Sequence, residues 1–187
     1  MGVSTGGPEV LAEIIPEFPA WFPLPIVIVL HMPKHFTGRM AEALDRKSEL
    51  AVSEAAEGDV LQPGHVYLAP GGLHLVLDRD TRQRIALRTV DDPPENGCKP
   101  SVDVLFRSAA RVLGHRVLAV VLTGMGEDGT RGLGELKKHK VRVLVQDEAT
   151  SVVWGMPGSA VRAGYADEVL PLGRIAPRIS ELCRGAG

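Results

Sequence analysis

Several things are scarce in this sequence, and each scarcity excludes something. Lys and Arg number 21 against 23 Asp and Glu, a formal net charge of −2, so no basic field exists to hold nucleic acid or anionic lipid without specificity. Aromatic residues make up only 4%, too few to build stacking platforms for bases. Cys98 and Cys183 are the only cysteines; they form no close pair and no metal-ligand spacing, which suits two reduced thiols better than a disulfide framework. The longest apolar stretch without a charge, Phe18–Leu30, contains three prolines and is far shorter than the roughly 20 residues that span a bilayer. Nor does the N-terminus show the charged, apolar and small-residue order of a signal peptide. The expectation is a soluble cytoplasmic protein with no nucleic-acid partner and no membrane insertion.

What is present is one domain's worth of chain: 187 residues, 44% of them apolar, enough for a single packed core. Apolar runs alternate with stretches of helical periodicity. Ile26–Leu30, Val117–Leu122 and Val141–Val145 read as strands whose continuous apolarity means that both faces are covered. Helices are expected at Pro8–Ile15, Thr37–Lys47, Ser101–Leu113, Gly129–His139, Pro157–Ala163 and Ile175–Cys183, with Thr37 and Ser101 placed as N-caps. Gly64–Thr89 differs, because the short strands Val66–Ala69, Leu73–Leu77 and Ile85–Arg88 have no helix between them, and it reads as an antiparallel insertion. Asp91–Pro100, with three prolines, reads as a loop. The fold class that follows is α/β: a mostly parallel, doubly wound, Rossmann-like sheet with helices on both faces. Only Met1-Gly2-Val3 precede the first Gly-rich turn, so the first strand is very short or the chain begins inside a longer one.

Gly2-Val3-Ser4-Thr5-Gly6 satisfies G-x-S-x-G, a turn that exposes a serine between strand and helix. By itself the pentapeptide fits a phosphate-cradling turn as well as a nucleophile, because Gly6 and Gly7 open a helix whose amides favour anions. A nucleophilic serine needs a base that is itself oriented. His31 follows the strand Ile26–Leu30, and Asp128 follows Val117–Leu122 within Thr123-Gly124-Met125-Gly126-Glu127-Asp128-Gly129. In an open α/β sheet, strand ends of this kind line one crevice. The order Ser, His, Asp differs from that of α/β-hydrolases.

Five ordered blocks then identify a resemblance: Ser4–Pro8 (Ser-Thr-Gly-Gly-Pro), His31–Thr37 with His-Met-Pro and Phe36-Thr37, Ala69–Gly72 with His74, Pro100–Phe106, and Leu122–Gly129. Together with Gln146–Ala149 and Gly155–Pro157 they resemble the chemotaxis protein-glutamate methylesterase family, CheB, over essentially the whole chain. The resemblance implies a serine esterase that removes methyl groups from receptor glutamates and releases methanol, with deamidation of receptor glutamines in many members. It implies Ser4, His31 and Asp128 as the catalytic residues, no cofactor and no metal. Its partners would be the cytoplasmic helices of methyl-accepting chemotaxis receptors. Residues 1–187 then correspond to the catalytic domain, with the family's usual N-terminal receiver domain absent from this sequence. Oxyanion donors are sought in the amides of Thr5–Gly7 and at Met125, so Thr5, Gly6 and Met125 are expected to line the site. Thr5 also offers a hydroxyl to His31.

Other residues have plainer readings. His35 lies four residues after His31, but Pro33 intervenes and there is no His-Glu-x-x-His, which argues against a metal pair. His115 and His139 fall at helix C-termini, His65 decorates a turn, and His74 either approaches the site or packs. Asp103 competes with Asp128, though a carboxylate there also stabilises its own helix N-terminus. Cys98 lies in a flexible loop with no adjacent base, which makes it a poor nucleophile. Met125 and Met156 sit in Gly-bounded turns and are candidates for the crevice wall. Leu30 stands where the family often has Gln, a change expected at the site edge, and Cys98-Lys99 replaces a commonly more basic pair. Two other functions fit the same fold: a catalytically silent receptor-binding module, and a phosphate or nucleotide binder, against which the lack of a P-loop lysine weighs.

Overall fold

The computed structural model describes residues 1–184; the last three positions of the 1–187 domain assignment lie outside it. Its elements in chain order are β1 (Gly2–Val3), α1 (Gly7–Ile14), β2 (Ile26–Leu30), α2 (Thr37–Asp45), β3 (Ala51–Glu54), β4 (His65–Leu68), β5 (His74–Arg79), β6 (Ile85–Val90), α3 (Val102–Leu113), β7 (Leu118–Val121), α4 (Thr130–Lys138), β8 (Arg142–Gln146), α5 (Gly155–Arg162), β9 (Glu168–Leu170) and α6 (Leu172–Arg184). Seven strands form one parallel sheet in the order β3-β4-β2-β1-β7-β8-β9, and β5 pairs with β6 in a separate antiparallel hairpin.

Strand side chains alternate between two cores. Val3, Ile28, Leu30, Val120, Leu122 and Leu144 face α1, α2 and α6, where they meet Leu11, Leu44 and Ile175. Val29, Val121, Val143 and Val145 face the other way, onto Phe106 of α3, Leu133 of α4 and Ala160 of α5, with Leu75 and Leu87 of the hairpin. Helices on both faces explain why the central strands read as unbroken apolar runs.

Two expectations change. Val66–Ala69 does not belong to the antiparallel insertion: its strand, β4, lies between β3 and β2 in the main sheet, so only β5 and β6 are inserted. His65 accordingly opens a strand, stacks on Tyr67 and hydrogen-bonds the Ser53 hydroxyl at 2.9 Å, and does not decorate a turn. The edge strands β3 and β9 carry no continuous apolar run, because a short strand paired on one side buries few residues. Strand β1 is only two residues long, yet it sits at the centre, pairing with Val29 and Leu30 of β2 and Val121 of β7. The chain winds outward in both directions from β1, so the carboxyl ends of β1, β2 and β7 converge on a topological switch point.

Candidate active site

Ser4 leaves the carboxyl end of β1 in a fixed pose. Its amide donates to the Thr123 carbonyl at 2.9 Å, and its carbonyl accepts the Gly7 amide at 2.7 Å. Gly6 makes the turn into α1 in the left-handed region, φ 79°, where a Cβ would also strike Val152. The turn after β7 closes on Ser4 from the other side: a Cβ on Gly124 would lie 2.7 Å from Ser4 Cβ and 2.5 Å from Met156 Sδ. Only glycine permits that approach.

Thr123 joins the two turns. Its hydroxyl donates to the Thr5 carbonyl at 2.9 Å, and its amide donates at 2.8 Å to Oε1 of Gln146, which is fully buried at the end of β8. The Gln146 Nε2 in turn donates to the Thr150 carbonyl at 2.8 Å. Gln146 was not singled out from the sequence as a site residue, although a polar residue ending an otherwise apolar strand is a visible signal.

His31 follows β2, its amide donating to the Val3 carbonyl at 3.1 Å. The ring meets Asp128 through Nε2, 2.8 Å from Oδ2. Asp128 is only 3% exposed and is surrounded by donors: the Ser101 hydroxyl at 2.7 Å, the Val102 amide at 2.7 Å, the Asp103 amide at 3.1 Å and the Asn96 side-chain amide at 3.2 Å. Burial pushes its carboxyl up, but the hydrogen bonds from His31, Ser101 and the two amides outweigh burial and hold it at about 2. It is therefore an anion, and an anion beside Nε2 keeps the ring proton there. Nδ1 is left as the acceptor.

The loop before α3 departs most from expectation. Glu95 and Cys98 exchange backbone hydrogen bonds at 3.1 and 2.8 Å around Asn96-Gly97, both at positive φ, which makes a tight type I′ hairpin turn in place of a flexible loop. The Arg107 guanidinium holds both Glu95 oxygens, at 2.6 and 2.5 Å, and Asn96 bridges Asp103 and Asp128. Cys98 Sγ is thereby set 3.5 Å from His31 Nδ1. The expectation of a thiol without a base is overturned, because tertiary folding brings the base from 67 residues away. Burial first, then Asp128 and Asp103, push the Cys98 thiol up, so it rests protonated, with His31 Nδ1 at 3.5 Å and the Asn96 carbonyl at 3.6 Å as its acceptors. Asn-Gly was the available sequence signal for this turn.

The remaining candidates sort clearly. Asp103 lies in the first turn of α3 as expected, and its buried carboxylate also accepts the Gly132 amide of α4 at 2.6 Å and Asn96 at 2.8 Å. His74 is buried, its Nε2 on the Pro93 carbonyl at 3.0 Å and its Nδ1 accepting the Ser101 amide at 3.2 Å, so it braces the loop behind Asp128. Leu30 lies in the α1 core and not at the site edge, since its strand position points away from the site. Met156 is a buried floor under Gly124, not a wall, while Met125 is 68% exposed. The Gly7 amide is spent on Ser4, which removes it from the oxyanion candidates; the Thr5 and Met125 amides have no acceptor among the described residues. The Thr5 side chain is exposed and makes no hydrogen bond to His31. His35 sits at φ 75° and lines the hollow beside α2 with Lys34 and Glu54, outside the cluster of His31, Cys98 and Asp128.

Two hollows lie away from this cluster. An apolar one of about 160 Å³ is lined by Met1, Phe22 and Leu105, and one of about 350 Å³ beside α2 by Lys34, His35 and Glu54. Ser4, His31 and Asp128 line neither. The turns on either side of Ser4 instead carry two exposed apolar side chains, Met125 and Val152, a surface that suits a side chain presented by a macromolecule. No helix among the described residues is long and apolar enough to cross a membrane.

Comparison with known proteins agrees with this picture. The family model described as CheB methylesterase matches residues 1–179. A Trichodesmium erythraeum protein named protein-glutamate methylesterase/protein-glutamine glutaminase is 49% identical over 179 residues, covering 96% of this chain and 51% of that protein. An Anaeromyxobacter dehalogenans protein of the same name, numbered 5, is 49% identical over 185 residues, covering 98% and 50%. The chain spans about half the length of these relatives. The crystal structure of the Thermotoga maritima CheB methylesterase catalytic domain superposes with a TM-score of 0.94 at 44% identity, covering 97% of this chain and 95% of that one.

Proposed function

The chain belongs to the CheB methylesterase family, and from that premise we propose that residues 1–187 are a catalytic domain that hydrolyses glutamate methyl esters on cytoplasmic helices of chemotaxis receptors, releasing methanol. The observation that carries the reading is the His31–Asp128 pair, 2.8 Å apart, at the strand end beside the turn that presents Ser4. Relatives named for glutamine deamidation support a second use of the same centre, in which an amide nitrogen leaves as ammonia.

In the proposed mechanism Ser4 Oγ attacks the ester carbonyl while His31 Nδ1 takes its proton. Asp128 keeps the other proton on Nε2 and stabilises the imidazolium. The Cys98 S–H, a weak donor, gives up Nδ1 as Ser4 engages it. Amides of Thr5, Gly6 and Met125 are the proposed donors to the oxyanion, each of a kind worth roughly 10²–10³ in rate in a protease. His31 then protonates departing methoxide, and water repeats the sequence on the glutamyl-enzyme. Neither step needs a cofactor.

The exposed Met125 and Val152 near Ser4 support a folded helix as substrate, and the relatives' extra length supports a receiver domain that restrains the site in the whole protein. The test is methanol release from a methylated receptor fragment by wild type and Ser4→Ala, with a fluorophosphonate serine probe in parallel. Wild type should release methanol and take the label at Ser4, and Ser4→Ala should do neither. Equal release by both would overturn the reading, and a receptor-binding protein that neither hydrolyses nor labels would mark a silent module.

A further inference from the structure

The side chains at the reactive centre are suited to more than ester hydrolysis. We propose that His31 Nδ1 and Cys98 Sγ form a binding site for a soft divalent transition metal, zinc foremost, which switches the esterase off by occupying the nitrogen that takes the Ser4 proton. The inhibitory half rests on the proposed function; the binding half does not.

The geometry is the first argument. A tetrahedral zinc with bonds of about 2.3 Å to sulfur and 2.0–2.1 Å to nitrogen needs the two donors about 3.5–3.6 Å apart. Cys98 Sγ and His31 Nδ1 stand 3.5 Å apart, the separation that a shared ion requires. Both are part-exposed, leaving the other two positions to water.

The second argument is the support behind the ligands. A metal-bound histidine usually gives its other N–H to a carboxylate, which fixes its tautomer and raises its basicity. Asp128 already does this at Nε2, 2.8 Å away. Its own oxygens are filled by Ser101, Val102, Asp103 and Asn96, so it supports the ring and is not itself a ligand. The buried Asp128 carboxylate lies within 4.8 Å of both donor atoms, and its negative charge favours a dication beside them. The Asn96-Gly97 turn and its tie to Arg107 keep the thiol in place. Nitrogen with sulfur selects zinc, cobalt or copper over magnesium and calcium.

On binding, the Cys98 S–H bond breaks, its proton passes to buffer and a sulfur–metal bond forms. No electron is transferred. His31 stays neutral with its lone pair on the metal, and Ser4 has no base. The expectation of no metal in this chain therefore gives way to a proposed inhibitory ion, distinct from any cofactor of the reaction.

Cobalt(II) tests binding directly. Added to wild type, it should give a near-ultraviolet sulfur-to-cobalt charge-transfer band that zinc displaces, that Cys183→Ser keeps and that Cys98→Ser lacks. Zinc should also protect Cys98 of wild type from iodoacetamide, read by mass spectrometry, which needs no variant to fold. Methanol release, normalised to each protein's metal-free rate, should be lost at zinc concentrations that Cys98→Ser tolerates by a further 10–100-fold or more, the range that even indirect metal supports command. No band, a band surviving in Cys98→Ser, absence of protection, or equal zinc sensitivity would each overturn the proposal. A metal-free enzyme that releases no methanol would instead count against the proposed function, with the cobalt spectrum still deciding the site.

Discussion

Asp128 caps helix α3 in place of Ser101: its carboxylate takes the Ser101 hydroxyl at 2.7 Å and the amides of Val102 and Asp103 at 2.7 and 3.1 Å, from a turn 26 residues further along the chain. Ser101 sits at the N-cap position but spends its hydroxyl on that acid. The anion and the helix N-terminus stabilise each other, and the same contact aims Oδ2 at His31. Stability and the proposed chemistry are coupled through one carboxylate.

Ser101→Ala should therefore cost about 1.5–3 kcal/mol of stability, the range for a hydrogen bond to a charged group, while the remaining donors keep Asp128 in place. Asp128→Asn should lower kcat by a factor on the order of 10⁴, because an amide favours the wrong ring tautomer. Urea unfolding and methanol release separate the two. A Ser101→Ala enzyme as crippled as Asp128→Asn would contradict the division of labour.

Acid should expose the same group. The Asp128 carboxyl stands at about 2, below its ordinary 3.8, so its contribution is complete above pH 3.8 and lost as pH falls through to about 2. That contribution is worth about 2 kcal/mol. Wild type should lose stability more steeply than Asp128→Asn between those limits, measured by chemical unfolding at each pH.

Gly124→Ala places a Cβ 2.5 Å from Met156 Sδ and 2.7 Å from Ser4 Cβ. Overpacking should cost about 1–3 kcal/mol, and the displaced Ser4 should reduce kcat more than KM rises. Thermal unfolding with steady-state kinetics reads both, and an unchanged kcat would show that the turn does not position Ser4.

Gln146→Leu removes the acceptor of the buried Thr123 amide. Leaving that N–H unmatched should cost about 1–3 kcal/mol and loosen the carbonyl that holds the Ser4 amide. Amide hydrogen exchange at Ser4 should accelerate in this variant, and exchange as slow as wild type would refute the link.

The sequence by itself determined the parallel sheet, since unbroken apolar runs such as Ile26–Leu30 require cover on both faces. It also determined which strand ends carry Ser4, His31 and Asp128, because a short motif, a strand stop and a Gly-rich turn are local signals. It could not show that β4 joins the main sheet, that β3 and β9 form its edges, or that Asp128 caps a helix begun by Ser101. Nor could it set Cys98 against His31, 67 positions away. Those outcomes depend on long-range pairing and on buried polar groups finding partners. Composition and periodicity report how a residue meets solvent, whereas only the folded chain decides which buried donor meets which acceptor.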